Sequence, residues 1–156
     1  MSLRENFSHN DMERWLDENQ VTEIECLVPD LTGVPRGKIL PREKFTEDRG
    51  MRLPEAVVGM TVTGDCPENS ADYDSVISVN DRDMLLLPDP ATVRLVPWTV
   101  DPTAQVIHDC YFSDGRLVDF APRSVLRRVC ELYKEKGWKP VVAPELEFYL
   151  IAKNID

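Results

Sequence analysis

Two glutamates stand two positions apart in Pro144-Glu145-Leu146-Glu147-Phe148-Tyr149-Leu150, a stretch otherwise apolar enough to be buried. In a β-strand such neighbours project from one face about 6–7 Å apart, while Leu146, Phe148 and Leu150 face the other way. Two parallel carboxylates on a core strand are costly unless they meet a cation or water. Oxygen donors at this spacing suit hard divalent ions such as Mg2+ or Mn2+. An edge strand with a solvated or salt-bridged polar face has the same pattern, and these residues alone leave both readings open.

Other chemistry-bearing groups carry weaker signals. Asp65, Glu68, Asp72, Asp74, Asp81 and Asp83 lack the glycine and closing glutamate of a calcium loop, and read as a solvated acidic loop. Arg36-Gly37-Lys38 lacks the surrounding glycines of a phosphate loop and reads as a hairpin edge with solvated charges. Of the two histidines, His108 alternates with apolar neighbours on a strand and is expected to be structural. Cys26, Cys66, Cys110 and Cys130 include no C-x-x-C pair, so they are expected to be reduced and mostly buried rather than zinc ligands or a disulfide framework.

The elements that must position the glutamates follow from periodicity. Met12, Trp15 and Leu16 recur at helical spacing behind a capping box at Asn10 and Glu13. Ile24, Cys26 and Val28 alternate in a strand over 21–28, the turn Asp30-Leu31-Thr32-Gly33 returns the chain over 34–40, and a helix over 41–49 stops at Gly50. A long exposed loop is expected over 64–83, with a short strand at 76–79. Further strands are predicted over 92–97 and 105–112. Val125, Leu126, Val129, Leu132 and Tyr133 then form a helical stripe after Pro122, ended by Gly137, and 141–151 is strongly β-prone. The whole predicts an α+β module followed by the start of a second domain, truncated because one helix and one strand cannot bury both their faces.

Composition sets limits. With 28 acidic against 18 basic residues and a net charge of −10, no basic stripe invites nucleic acid or an anionic membrane. Apolar runs such as Met84-Leu85-Leu86-Leu87 are too short to span a bilayer, and the polar start of the chain lacks a signal-peptide core. A cytoplasmic location is the expectation.

Read in order, Asp30-Leu31-Thr32-Gly33 with Arg36-Gly37-Lys38, Asp83-Met84-Leu85-Leu86-Leu87-Pro88-Asp89, Thr92, Pro97-Trp98, Gly115, Pro122-Arg123 and Pro144-Glu145-Leu146-Glu147-Phe148 resemble the glutamine synthetase family. The resemblance runs from about 21 to 150. It implies an N-terminal helix over 1–20, a β-grasp domain over 21–112, and over 113–156 the first helix and strand of a truncated α/β catalytic domain. It makes Glu145 and Glu147 ligands of divalent ions, Mg2+ or Mn2+, that organise ATP and glutamate.

The activity implied is an ATP-dependent glutamate–ammonia or glutamate–amine ligase working through a γ-glutamyl phosphate. Its assembly would be a homo-oligomer of two stacked hexamers. The 156-residue chain alone is expected to be inactive. One stretch departs from the family: ammonia-using members carry Asp-Gly-Ser-Ser where this chain has Gly59-Met60-Thr61-Val62-Thr63-Gly64-Asp65, leaving Thr61 or Asp65 at the ammonium position. In this stretch γ-glutamylpolyamine synthetases look closer, so a larger amine is expected. The alternative is a non-catalytic assembly or interaction module built on the β-grasp domain.

Overall fold

The computed structural model describes residues 6–67, 71–77 and 80–153. Its first helix, α1 (His9–Glu18), buries Met12 and Leu16. Its cap differs from the sequence expectation at Asn10 and Glu13. Ser8 Oγ accepts from the Asp11 amide at 3.2 Å and Asp11 Oδ2 accepts from the Ser8 amide at 3.0 Å. Ser8 and Asp11 offer the same reciprocal pair two residues earlier, with aspartate in place of the glutamate that marks the motif.

Strand β1 (Glu23–Pro29) buries Ile24, Cys26 and Val28, as their alternation predicts, and pairs antiparallel with β2 (Pro35–Pro41). Helix α2 (Arg42–Asp48) follows directly, and Arg49 in the left-handed region with Gly50 at φ 148° ends it. Arg42 Nη2 reaches back to Glu13 at 2.6 Å and Asp17 at 3.1 Å, tying α2 to α1. Periodicity missed β3 (Met51–Pro54) and β4 (Asp83–Pro88), which pair antiparallel. The strand expected over 76–79 is replaced by a short helix, α3 (Ala71–Val76), which brings Ile77 inward. Ser78, Val79 and Glu68 lie outside the described residues.

The strand expected over 92–97 shortens to β5 (Arg94–Leu95), because Pro90–Thr92 wind into a 3-10 turn capped by Asp89. The long β6 (Thr103–Tyr111) is the spine. It pairs parallel with β1 along one edge, and along the other with β5 and then β4, both antiparallel. The order is β2-β1-β6-β4-β3, a mixed sheet whose two end strands curl towards each other. Lys38 Nζ on β2 donates to the Arg52 carbonyl on β3 at 2.9 Å, bridging the remaining gap. Ile24, Cys26, Leu86, Ala104 and Val106 form the core with Met12, Leu16 and Phe45 of the helices and Val118 and Ala121 beyond β6.

Gly37 is where this packing is least forgiving. A Cβ there would lie 1.8 Å from the Cys26 carbonyl oxygen of β1. Gly37→Ala must therefore push β2 off the ladder, and a loss of at least ~2 kcal/mol is expected in urea unfolding. A change below ~0.5 kcal/mol would show that the hairpin gives way freely.

Helix α4 (Pro122–Glu135) starts at its proline, and Gly137 at φ 69° follows its end. The stripe that the sequence assigns to packing is uncovered: Val125, Leu126, Val129, Leu132 and Tyr133 are all exposed. Residues 138–153 form neither helix nor strand, which corrects the strand expected over 141–151. A strand exists only through its ladder, and among the described residues no strand pairs with this segment.

Candidate functional site

Glu145 and Glu147 lie in that unpaired segment, both exposed. Their apolar neighbours are exposed as well, Leu146 at 89% and Phe148 at 77%, so the two-faced arrangement predicted for a strand is not formed here. Among the described residues neither carboxylate has an ion pair or hydrogen bond, and no three His, Cys, Asp or Glu side chains converge as a metal centre. Two unspent carboxylates are a donor set that fits a hard divalent cation, as part of a fuller coordination shell.

Asp30, in the turn after β1, shows what the first resembling motif does. The side chain is 1% exposed; Oδ1 accepts from the Thr32 amide at 2.9 Å, the Thr32 hydroxyl at 2.7 Å and the Val34 amide at 2.9 Å. Arg36 Nε donates to Oδ2 at 2.7 Å, and its Nη2 continues to the Thr61 carbonyl at 2.7 Å. Burial pushes the Asp30 carboxyl up, but Arg36 and the turn's donors outweigh it and hold the group below the usual carboxylate range. Arg36 and Lys38 are thus spent on protein partners, which corrects the expectation of solvated charges on the hairpin edge.

The turn that Arg36 reaches is the stretch in which the chain departs from the family pattern. Thr61 N donates to the Asp65 carbonyl at 2.8 Å, Asp65 N donates to Thr61 Oγ1 at 3.1 Å, and Thr63 Oγ1 donates to Asp65 Oδ2 at 2.7 Å. Asp65 is exposed but already engaged within its own turn. Of the acidic loop, Glu68 and the side chain of Asp74 lie outside the described residues, while Asp72 and Asp83 are exposed.

Sequence reading missed a second cluster. Asp89, after β4, and Asp109, in β6, face Arg123 and Arg127, one turn apart on α4. Arg123 Nε meets Asp109 Oδ1 at 2.8 Å, Arg127 Nη2 meets Asp109 Oδ2 at 2.6 Å, and Arg123 Nη2 also pairs with Asp89. The available signal was the i, i+4 arginine spacing, which a solvated helix face shares.

The buried thiols and the buried imidazole sit in the core. Burial raises the Cys26 and Cys110 thiols to about 12, too high for a thiolate nucleophile, whereas Cys66 is exposed and Cys130 partly so, against the expectation of mostly buried cysteines. His108 is fully buried, edge-on to Phe45, with Nδ1 3.1 Å from the Val106 carbonyl and, among the described residues, no partner in hydrogen-bonding geometry for Nε2. Burial lowers its imidazole to about 4, against the Val106 carbonyl and Asp109, which favour the charged form.

The unfolded chain therefore binds this proton first, near pH ~6.5. The contribution of neutral His108 is complete above that pH and is lost as pH falls towards about 4, by up to ~3 kcal/mol. His108→Gln is expected to flatten the urea-midpoint profile across this window; parallel profiles for the two proteins would refute the assignment. Grooves lined by His9, Met12, Phe45 and Arg49, and by Glu55, Arg82, Phe112 and Asp114, do not include Glu145 or Glu147.

Comparison with known proteins adds the following. The family model described as glutamine synthetase, catalytic domain, matches residues 119–156. The chain is 31% identical over 150 residues to the γ-glutamylputrescine synthetase PuuA of Escherichia coli, covering 94% of this chain and 31% of that protein. It is 29% identical over 146 residues to a glutamate–isopropylamine ligase of a Pseudomonas species, covering 90% and 31%, and 32% identical over 132 residues to the glutamine synthetase of Pyrococcus abyssi, covering 84% and 26%. The chain thus spans about a third or less of these relatives. A solved novel glutamine synthase homolog superposes with a TM-score of 0.61 at 25% identity, over 74% of this chain and 27% of that one. A GmaS/ADP complex superposes with a TM-score of 0.56 at 23% identity, over 81% and 26%.

Proposed function

The chain belongs to the glutamine synthetase family, and from that premise we propose that it is the N-terminal part of an ATP-dependent glutamate–amine ligase. The observation that carries this reading is the 31% identity with a γ-glutamylputrescine synthetase across 94% of the chain. In this reading 1–20 is an N-terminal helix, 21–112 a β-grasp domain and 113–156 the opening of a catalytic domain. The 156-residue chain alone has no turnover, and the intact protein works as a cytoplasmic homo-oligomer, a dodecamer by family likeness.

The reaction transfers the ATP γ-phosphoryl group to the glutamate γ-carboxylate; an amine then attacks the acyl phosphate and displaces phosphate. Glu145 and Glu147 would hold Mg2+ or Mn2+, which spreads the charge of the transferred phosphoryl group. What the rest of the chain contributes is position: Asp30 and Arg36 hold the Thr61–Asp65 turn by its backbone, and α4 leads into the glutamate pair.

A larger amine is the favoured acceptor. The turn at 59–65 lacks Asp-Gly-Ser-Ser, and its aspartate, Asp65, is engaged by Thr63. An amine with apolar or additional charged contacts depends less on one carboxylate to bind it and take its proton. In the intact protein, kcat/KM for putrescine or isopropylamine is expected to exceed that for ammonium by at least tenfold, about 1.4 kcal/mol of transition-state preference. A tenfold preference for ammonium would reverse the acceptor assignment. No ADP release with any amine would leave a non-catalytic assembly or interaction module.

A further inference from the structure

A groove of about 400 Å3 opens where α1, α2 and the end of β4 meet, and neither the glutamate pair nor the Thr61–Asp65 turn lines it. Its floor is apolar. Met12 and Phe45, each 1% exposed, form it with Leu87 and Pro88. The Phe45 ring is held from the core side by His108, edge-on with centroids 6.1 Å apart, so the floor is fixed before anything enters. A concave site of this size, apolar with a few polar groups at its edge, has the dimensions of a small-molecule pocket.

The charge left unanswered at its rim is positive. Glu13, the one acid that lines the groove, already accepts from Arg42 at 2.6 Å and from the Thr46 hydroxyl at 3.2 Å. Arg49 and His9 line it as well, both exposed, and among the described residues neither side chain has an ion pair or hydrogen bond. This is notable in a chain of 28 acidic and 18 basic residues, where a cation has carboxylates to choose from. Arg49 is also placed at a cost. As the C-cap of α2 it has φ 53° and ψ 33°, a left-handed conformation that glycine adopts freely and a residue with a side chain does not. The chain thus puts a guanidinium beside an apolar cavity at a position where glycine would stop the helix with less strain.

We propose that this groove is a binding site for a small organic carboxylate, with its alkyl or aryl body on Met12, Phe45 and Leu87 and its carboxylate against Arg49. A guanidinium offers forked N–H donors that match a carboxylate, and the His9 imidazole adds a further donor at the same rim. A cationic ligand would meet no unanswered carboxylate there, and a bare inorganic anion would leave the apolar floor unused. The site stands apart from the amine-ligase reading and does not depend on it.

The test is calorimetric titration of the intact protein with hexanoate and 4-phenylbutyrate, with hexylamine and inorganic phosphate as the controls for charge and for the apolar body. Both carboxylates are expected to bind at least tenfold more tightly than either control. Arg49→Gly, which removes the guanidinium and relieves the left-handed strain, is expected to weaken carboxylate binding about tenfold with Tm unchanged or raised. Lys44→Gln, which removes a neighbouring cation that does not line the groove, should bind as wild type does. Carboxylate affinity unchanged in Arg49→Gly, or equalled by phosphate or hexylamine, would overturn the proposal. So would an absence of saturable binding to the wild type: association of two copies lost in Arg49→Gly would then assign the groove to a second copy, and carboxylate binding gained on removing residues 1–5 would assign it to that segment.

Discussion

Glu145→Ala and Glu147→Ala, each made in the intact protein, are expected to lower kcat/KM by about 100-fold or more, roughly 3 kcal/mol of transition-state stabilisation. The loss should come with a higher Mg2+ or Mn2+ requirement and no loss of folding. Both side chains are exposed and unpaired among the described residues, so nothing in the packing of this chain depends on them. The measurement is a metal titration of initial rate beside a melting curve. Unchanged metal dependence in the folded double variant would return the pair to the reading of a solvated edge. Glu147→Asp, which keeps the charge but shortens the reach, is expected to fall between wild type and alanine.

Asp30→Ala carries the largest expected effect on stability. It removes one half of a buried pair and the acceptor of three further hydrogen bonds, leaving the Arg36 charge and the donors of Thr32 and Val34 without their partner. Losing one member of such a pair costs about 3–5 kcal/mol, to be read as a shift in urea unfolding free energy. A cost below ~1 kcal/mol would mean that water replaces the carboxylate and that the turn is softer than its bonding implies. Because the folded carboxyl sits below its ordinary range, its contribution is complete above the unfolded pKa near ~4 and is lost on acidification through the folded one. The Thr61–Asp65 turn should loosen with it, since Arg36 is then no longer aimed at the Thr61 carbonyl. Amine selectivity is expected to degrade in Arg36→Ala even where the fold survives.

Much of the local structure was legible, for reasons that particular residues make plain. Ile24, Cys26 and Val28 alternate because β1 has one buried face, and Met12 and Leu16 recur because α1 presents one stripe to the core. Gly33 at φ 83° and Gly50 at φ 148° sit where the chain turns or stops. Elements with little contrast between faces were missed. β3 has four residues, β4 is apolar on both faces, and α3 is a short run of polar residues around Tyr73. The glutamate pair stood out by its type and spacing, and the family resemblance made it a candidate for divalent ions, but the strand meant to carry it is absent here, since a strand's backbone bonds lie in its neighbour.

Sequence by itself determined the family, the β1–β2 hairpin, the extents of α1, α2 and α4 to within a few residues, and the candidate ligands Glu145 and Glu147. Each is written in local periodicity, turn chemistry or the order of motifs. Tertiary structure alone decided that β6 lies parallel to β1, that Gln105 Nε2 donates to Glu25 at 3.0 Å across that pairing, and that β2 and β3 close towards one another through Lys38. It also decided what the charged motif residues do: Arg36 answers to Asp30 and the Thr61 turn, and Arg123 to Asp89 and Asp109. The physical reason is that a charge on a helix or hairpin looks the same in sequence whether water or a distant carboxylate faces it. Only the meeting of segments far apart in the chain distinguishes the two.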